Sequence, residues 1–205
     1  NEMRTLILFF LSVMKLCLFN KKKDNGFQND IDLSNYYRLK ILKIPIDEIL
    51  AFIYPRIYLL DDISNLNYGE FPDVVNDSTE GINQGNFFLI DNGFFLGIYC
   101  KKNIEKKIIE SIFGEHDLEK INFLEINESN IFDENNEGNE IKNKIKYLID
   151  CIRDGKDIYQ KIIFVFEGIN DQNFLKEILV EDNFNKSYPY DFNKFYEKVI
   201  GRNYK

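Results

Sequence analysis

The sequence contains no tryptophan, a single histidine (His116) and only three cysteines among its 205 residues. Zinc sites draw mainly on cysteine and histidine ligands, so this chain has almost no material for one. The cysteines, Cys17, Cys100 and Cys151, lie far apart inside apolar patterns. Three thiols without Cys-x-x-Cys spacing indicate buried cysteines in a reducing compartment.

Positive charge is also scarce, since 26 Lys and Arg face 34 Asp and Glu for a net charge of -8. A nucleic-acid-binding protein needs a concentrated basic surface to neutralise phosphates. The one dense basic run, 21–23, follows a helix-like segment and is interpreted as its solvated end. The composition therefore argues against nucleic acid as a partner and against direct contact with anionic lipid.

An uninterrupted apolar run is missing as well. Residues 3–23 resemble a secretory signal, but Ser12 and Lys15 interrupt the apolar stretch and no small-residue cleavage site follows. We interpret residues 4–20 as a mostly buried helix of a larger domain. Because the chain begins with Asn1, we expect it to be a piece of a longer protein.

The chain is rich in apolar residues, with 44% hydrophobic and 15% aromatic, which is enough for a substantial core. Residues 33–53 predict one or two short helices divided by Pro45. The β-branched and aromatic stretch 53–60 predicts a strand. An acidic, turn-rich loop is expected at 61–85.

Two aromatic-aliphatic runs flank residues 91–93, Asp-Asn-Gly. Asn-Gly adopts the positive φ angles of tight hairpin turns, so a β-hairpin is predicted here. Its phenylalanines form a candidate peptide-binding surface: Phe87, Phe88, Phe94 and Phe95. Strand alternation places about half of them in the core, which accounts for them without a partner.

The second half predicts alternating helices and strands. A helix is expected from an Asn103 cap to a stop at Gly114, then a short strand at 121–126 and a polar loop. A longer helix at about 140–153 precedes a strand at 161–168. That strand is apolar on both faces, which is typical of a central strand covered from both sides.

Two more helices complete the chain. Asp171 is predicted to cap the first of them, and the second is expected from near Pro189 to about Ile200. The pattern predicts an α/β (α+β) fold with a mixed sheet of roughly five strands and helices on both faces. We assign 1–52 to the end of a helical domain, 53–183 to the sheet domain, and 184–205 to a C-terminal helix that packs back on the helical part.

The acidic stretch 178–192 is the obvious candidate for catalysis. Its adjacent carboxylates Glu181 and Asp182 point apart on a helix or a strand, so they cannot share a proton or flank a substrate. Ser187 has no histidine nearby, and Asp191 suits a helix N-cap. We therefore predict a helix junction and no catalytic residue.

Other sites are also disfavoured. Residues 133–138 offer oxygen ligands but lack the spacing of a calcium-binding EF-hand loop. The glycines of 81–85 form no phosphate-binding motif, and no Walker lysine exists. No metal or cofactor is predicted, although an enzyme using a loop carboxylate such as Glu125, Asp133 or Glu181 stays open as an alternative.

Five segments, taken in order, resemble the C-terminal part of the cargo-adaptor subunit of the COPII vesicle inner coat. They are 53–60, 85–99, 108–114, 162–168 and 174–192. In that family a Pro-Arg-aromatic strand opens a gelsolin-like domain. A hairpin, a helix ending in Phe-Gly, and a Leu-Val-Glu-Asp then Ser-Tyr ending follow. The resemblance covers about 45–200.

The residues that carry the resemblance are Tyr54, Pro55, Arg56, Gly93, Phe113, Gly114, Glu167, Gly168, Leu179, Val180, Glu181, Asp182, Ser187, Tyr188, Asp191 and Phe192. The chain departs from the family pattern after Ser-Tyr, where Pro189 and Tyr190 intervene before the acidic-aromatic pair. This extra residue affects the register of the last helix, although proline is compatible with a first turn.

The resemblance implies a non-enzymatic part of a coat subunit that selects cargo for transport from the endoplasmic reticulum to the Golgi. It implies a cytoplasmic, peripheral location on endoplasmic reticulum membranes and COPII vesicles. The expected partners are the other inner-coat subunit and membrane cargo, through the full-length protein, and the family's zinc finger is expected upstream. The GTPase-activating subunit of the same coat and an actin-binding gelsolin-like protein are the alternatives.

Overall fold

The computed structural model describes residues 2–15, 30–123, 125–132, 139–182 and 190–201. Three helices come first: α1 (Glu2–Lys15), α2 (Asp30–Ile41) and α3 (Ile46–Ile53). The sheet region follows with β1 (Arg56–Leu59), β2 (Val74–Val75), α4 (Thr79–Ile82), β3 (Phe87–Asp91), β4 (Phe95–Cys100), α5 (Lys106–Phe113), α6 (Glu128–Ile131), α7 (Glu140–Arg153), β5 (Lys161–Phe166), α8 (Asp171–Ile178) and α9 (Phe192–Ile200).

The five strands form one mixed sheet in the order β2-β1-β3-β4-β5. The first three neighbouring pairs are antiparallel, and β5 runs parallel to β4. The parallel pair needs a long crossover, which α5 and α7 provide. The predicted α/β class with a mixed five-stranded sheet is confirmed.

The hairpin prediction is correct. Phe87 lies opposite Cys100 and Asp91 opposite Leu96, so β3 and β4 are in register along their length. The Asn92 side chain accepts hydrogen bonds from the N–H groups of Phe94 and Phe95, each at 3.1 Å. Gly93 has a φ of 82°, the left-handed conformation that favours glycine.

Helices cover both faces of the sheet, as predicted. One core contains Leu89 and Ile98 and packs against α5 and α7, while the other contains Phe88 and Val165 and packs against α4 and α8. Because both faces are covered, Phe87 and Phe88 are both completely buried. The expectation that half of the hairpin phenylalanines lie outside the core is wrong for this pair.

The longest helix of the sheet region, α7, matches its predicted bounds. The Asn139 side chain accepts a hydrogen bond from the N–H of Lys142 and caps its first turn. The apolar stripe that predicted the helix is buried: Ile141, Ile145, Leu148, Ile149 and Ile152. At about 1.5–3 kcal/mol per side chain, that burial favours folding by roughly 8–15 kcal/mol before the entropy cost.

The N-terminal helix is buried along a single stripe. Ile7 and Leu11 pack against Phe192 and Phe195 of α9, so the C-terminal helix does lie on α1. Most of the helix's other apolar side chains, Phe10 among them, are exposed. The prediction of a mostly buried helix is wrong because, among the described residues, its main contacts are with α9 and α3 alone. The domain boundaries stay a prediction.

The strand predicted at 121–126 does not form in its described residues. Its apolar side chains pack instead, with the Phe123 ring 4.6 Å from that of Phe166. Short apolar runs suit strands and packed coil equally well. The fifth strand is β2, which lies within the predicted loop 61–85 and has only two residues. The one-turn helices α4 and α6 were also not predicted.

Two predicted helix caps are wrong. Glu105, not Asn103, precedes α5 and makes no side-chain cap, whereas Gly114 ends that helix with a φ of 73° as expected. Asp171 is the first residue inside α8, where its carboxylate accepts a hydrogen bond from the N–H of Gly168. Pro45 does divide the early helices, since it directly precedes α3.

In the part of the chain that the structure describes, no helix is both long enough and apolar enough to cross a bilayer. Residues 21–23, 133–138 and 183–189 lie outside the described residues. The interpretations of the lysine run, the acidic loop, Ser187, Tyr188 and Pro189 therefore stay predictions.

Candidate functional site at the junction of the helices and the sheet

The acidic stretch after α8 lies in a polar junction between the sheet region and the N-terminal helices. At its centre is Asp77, which is completely buried. The main chain of Asp77 accepts a hydrogen bond from the N–H of Glu181, and its carboxyl group accepts one from the N–H of Val180. The segment after α8 is thereby fixed to the segment that enters α4.

Tyr54 joins this junction from the end of α3. Its hydroxyl donates to Oε1 of Glu181 over 2.5 Å and accepts the N–H of Asp77 at 3.2 Å. Burial and the hydrogen bond to Glu181 raise the pKa of Tyr54 well above its usual value. The hydroxyl therefore keeps its proton and serves as a donor to the carboxylate.

The neighbouring carboxylate has a different partner. Oδ2 of Asp182 accepts hydrogen bonds from both the N–H and the hydroxyl of Thr79, each at 2.5 Å. Asp182 thus anchors the start of α4, while Glu181 binds Tyr54. The two carboxylates point to separate partners, as the spacing predicted, although the backbone here is neither helix nor strand.

Lys15 reaches the junction from the last turn of α1. Its ammonium group donates to the carbonyls of Val180 and Asp182 at 2.6 and 2.5 Å. Burial lowers the pKa of Lys15 to about 8, against the opposing attraction of the nearby carboxylates, Asp182 first. A single side chain therefore ties α1 to the segment that follows α8.

Asp77 carries the most unusual charge environment of the junction. Its Oδ1 atom has no hydrogen-bond partner among the described residues. Burial raises the pKa of the Asp77 carboxyl well above its usual value, and the negative charges of Glu181 and Asp182 add to the effect. The hydrogen bond from Val180 and the charge of Lys15 act in the opposite direction.

The last helix is joined to the same network. The N–H of Phe192 donates to the carbonyl of Glu181, and Asp191 caps α9 by accepting the N–H of Lys194 at 2.8 Å. That hydrogen bond is the main cause of a lowered pKa for Asp191. The predicted capping role of Asp191 is confirmed, with α9 beginning at Phe192.

The remaining family-marker residues that the structure describes lie outside this junction. Arg56 begins β1, and Phe113 and Gly114 end α5. The Glu167 carboxylate accepts the N–H of Lys102 at 2.9 Å, beside Gly168 with its φ of 78°. The structure therefore does not gather the markers into one site.

A second polar cluster was not predicted from the sequence. Asp91, completely buried at the end of β3, receives Lys156 at 3.0 Å and the side-chain amide of Gln160 at 2.7 Å. Nearby, the buried Glu48 of α3 accepts the N–H of Asp157 at 3.3 Å. These partners lie far apart in sequence, so neither periodicity nor a local motif signals them.

The cluster around Asp91 also positions the hairpin turn. The Asp91 carboxylate accepts the N–H of Gly93 at 2.9 Å. A Cβ added to Gly93 would lie 2.4 Å from the carbonyl oxygen of Glu48. The turn therefore packs against α3 so closely that only glycine fits.

One cavity of about 710 Å³ lies beside β5, along the loop that follows Phe123. Its acidic side chain, Glu128, is bound by Arg153 at 2.5 Å and by the Tyr159 hydroxyl at 2.8 Å. Burial opposes ionisation, but hydrogen bonds from Arg153 and Tyr159 keep the pKa of Glu128 below its usual value. An ionised, paired carboxylate does not have the properties of a general acid or base at neutral pH.

Metal and thiol chemistry find little support in the described residues. Among them, no three histidine, cysteine or carboxylate side chains come together as a metal site. Burial raises the pKa of the Cys100 thiol, which keeps it protonated. His116 is exposed and its partner is Glu110 at 3.4 Å. Cys17 lies outside the described residues.

The fold is that of an α/β domain with a mixed five-stranded sheet, consistent with a gelsolin-like domain, joined to helices by a polar junction. No protein-family model matches the chain. The crystal structure of the human COPII-coat protein Sec24c matches it with a TM-score of 0.75 and 21% identity over 97% of the chain and 24% of that structure.

Two curated proteins are similar in sequence. Human protein transport protein Sec24C is 24% identical over 157 residues, which is 77% of this chain and 14% of the relative. Protein transport protein SEC24-1 of Candida glabrata is 23% identical over 215 aligned positions, or 92% of this chain and 23% of the relative. The chain thus spans less than a quarter of the length of these relatives.

These similarities confirm the resemblance that the ordered segments indicated, which is to a fragment of the cargo adaptor of the COPII inner coat. The relatives are named as transport and coat proteins, not as enzymes, in agreement with the prediction of a non-enzymatic chain.

Proposed function

We propose that the chain is the C-terminal part of a COPII coat subunit of the cargo-adaptor type. In this role it contributes structure to a subunit that selects cargo and helps form vesicles between the endoplasmic reticulum and the Golgi. It acts on the cytosolic face of endoplasmic reticulum membranes, as a peripheral component without a cofactor of its own. The other inner-coat subunit and membrane cargo bind the full-length protein.

The observation that carries this proposal is the extent of the structural match. It covers 97% of the chain, so it includes α1–α3 and α9 as well as the sheet region. A generic gelsolin-like domain would share only the sheet and its covering helices. Agreement across the junction favours a coat subunit over the actin-binding alternative.

The polar junction suits a structural role. Lys15, Tyr54 and Asp77 hold helices and sheet together through buried hydrogen bonds. Partly buried polar networks of this kind fix the relative position of elements. A coat subunit must keep its surfaces in fixed geometry within an assembly, and a rigid junction meets that requirement.

Co-purification tests the proposal directly. The full-length protein that contains this sequence, tagged and isolated from its source cells, is expected to retain the other inner-coat subunit. A protein that associates neither with that subunit nor with coated vesicles would overturn the proposal. The alternative GTPase-activating role predicts faster GTP hydrolysis by the coat's small GTPase on addition of the purified protein, and we expect no acceleration.

Actin co-sedimentation tests the remaining alternative. The purified chain is mixed with filamentous actin with and without calcium, and both pellets are examined. We expect the chain to stay in the supernatant under both conditions. Calcium-dependent pelleting would favour the actin-binding reading.

A further inference from the structure

One end of the sheet is formed by β5, whose only strand neighbour is β4. The N–H of Glu167 donates to the carbonyl of Cys100 in β4. In a parallel pair, alternate residues direct both their N–H and C=O groups to the same neighbour. The main-chain groups of Ile162, Phe164 and Phe166 therefore face away from the sheet.

The chain itself satisfies most of these outward groups. The side-chain amide of Asn170 donates to the carbonyl of Phe164 at 3.0 Å and accepts the N–H of Phe166 at 2.8 Å. The carbonyl of Phe166 accepts the N–H of Ile169, and the carboxylate of Glu128 interacts with the N–H of Ile162. Side chains thus occupy both ends of this sheet edge.

Two groups remain between these ends. Among the described residues, no hydrogen bond occupies the carbonyl of Ile162 or the N–H of Phe164. They flank Ile163, whose side chain is 37% exposed. One acceptor and one donor on either side of a residue match a single residue of an added parallel strand. Its N–H would donate to Ile162 and its C=O would accept from Phe164.

The cavity beside β5 provides room for such a segment. It measures about 710 Å³ and is lined by apolar side chains that include Phe123, Ile126 and Phe166. This volume lies within the usual range for ligand sites of about 300–1,000 Å³. Glu128 and Asn170 stand at the two sides of the open pair, so the whole sheet edge of a second copy would be obstructed. A single extended chain fits between them.

Charge at the edge favours an acidic partner. Lys161 begins β5 with an exposed side chain and makes no ion pair with any described residue. The carboxylate of Glu128, the acidic group that lines the cavity, is neutralised by Arg153 at 2.5 Å. An unopposed positive charge therefore lies two residues before Ile163.

We propose that the edge of β5 is a docking site for an extended segment of a partner protein. One residue of the segment pairs with Ile162 and Phe164, and an acidic residue two positions earlier faces Lys161. An apolar neighbour of the anchor residue enters the cavity against Phe123. This site is separate from the junction, and its existence does not depend on the coat proposal.

Peptide selection tests the site. A displayed random heptapeptide library is selected on the 205-residue chain, and enriched sequences are synthesised with a fluorescent label for anisotropy measurements. We expect an acidic residue two positions before an apolar-flanked anchor. Lys161→Glu should weaken binding by about tenfold or more, because it replaces attraction by repulsion. Lys106→Glu, the same charge change on α5, should leave it unchanged.

A second measurement isolates main-chain pairing. N-methylation of the anchor residue removes the donor to Ile162 and should abolish binding, whereas N-methylation of the first peptide residue should not. Melting curves of both variants should match that of the unaltered chain. No enrichment, or equal binding to Lys161→Glu, would overturn the proposal. So would a dimer in sedimentation velocity that Lys161→Glu dissociates, since the occupant would then be a second copy.

Discussion

The hydroxyl of Tyr54 lies 2.5 Å from Oε1 of Glu181, although 127 residues separate them in the sequence. The same hydroxyl accepts the N–H of Asp77 at 3.2 Å. Tyr54 therefore connects the end of the N-terminal helices to two separate segments of the sheet region. This one side chain makes the junction a three-way contact.

Tyr54→Phe should lower the free energy of unfolding by about 1.5–3 kcal/mol, because a hydrogen bond to a charged group is lost with little change in shape. Urea denaturation measures the difference. Tyr159→Phe serves as control, since its hydroxyl donates to Glu128 near the surface and its loss should cost less than about 0.5 kcal/mol. In a double-mutant cycle with Glu181→Gln, additive effects of the two substitutions would contradict a direct interaction.

Asp77→Asn should raise the stability of the chain near neutral pH. The raised pKa of Asp77 means that the folded state keeps a proton at pH values where the unfolded state, with a pKa of about 3.9, has lost it. Stability is therefore full below about pH 4 and falls as the pH rises towards the folded-state pKa. The neutral amide removes this dependence.

Denaturation at several pH values checks this prediction. The variant and the unaltered chain should be closest in stability near pH 4 and should diverge towards pH 7. Asp73→Asn is a suitable control, since Asp73 is exposed in the same stretch of chain. Parallel pH profiles for Asp77→Asn and the unaltered chain would show that Asp77 is ionised in the folded state.

The local patterns of the sequence predicted the elements that depend on local chemistry. The Asn-Gly turn identified the β3–β4 hairpin, and the isoleucine stripe of α7 gave its bounds, because turn geometry and helical periodicity act over a few residues. The cap at Asp191 was predicted for the same reason. These features need no knowledge of distant partners.

Distant contacts account for what the sequence did not reveal. The ion pair of Asp91 and Lys156, and the hydrogen bond of Tyr54 to Glu181, join residues that only the fold brings together. The two residues of β2 become a strand only because they pair with β1. Segment 121–126 has strand-like composition, yet the outward groups of β5 are bonded to Asn170 and Glu128.

Asp191→Ala should lower the free energy of unfolding by about 1 kcal/mol, because the first turn of α9 loses its acceptor for the N–H of Lys194. Asp191→Asn keeps an acceptor oxygen at this position and should retain most of the stability. Thermal denaturation of the three proteins gives the comparison. Partner binding by the full-length protein should stay near normal, and equal melting temperatures for all three would contradict the capping role.

Gly93→Ala should be more damaging than its small size suggests. Gly93 has a φ of 82°, and a Cβ there would lie 2.4 Å from the carbonyl oxygen of Glu48, so the turn would have to move away from α3. Gly114 has a similar φ of 73° but no atom within 4 Å of an added Cβ. Gly114→Ala therefore measures the cost of the left-handed conformation alone, about 1–2 kcal/mol.

The difference between these two glycine variants reports how tightly the hairpin packs against α3. We expect Gly93→Ala to lose at least about 1 kcal/mol more than Gly114→Ala in urea denaturation, a typical cost of overpacking. Amide hydrogen exchange should show the extra loss in the first turn of α3 and at Phe94. Equal losses for the two variants would mean that the turn and α3 separate freely, and that the Lys156–Asp91 cluster alone positions the hairpin.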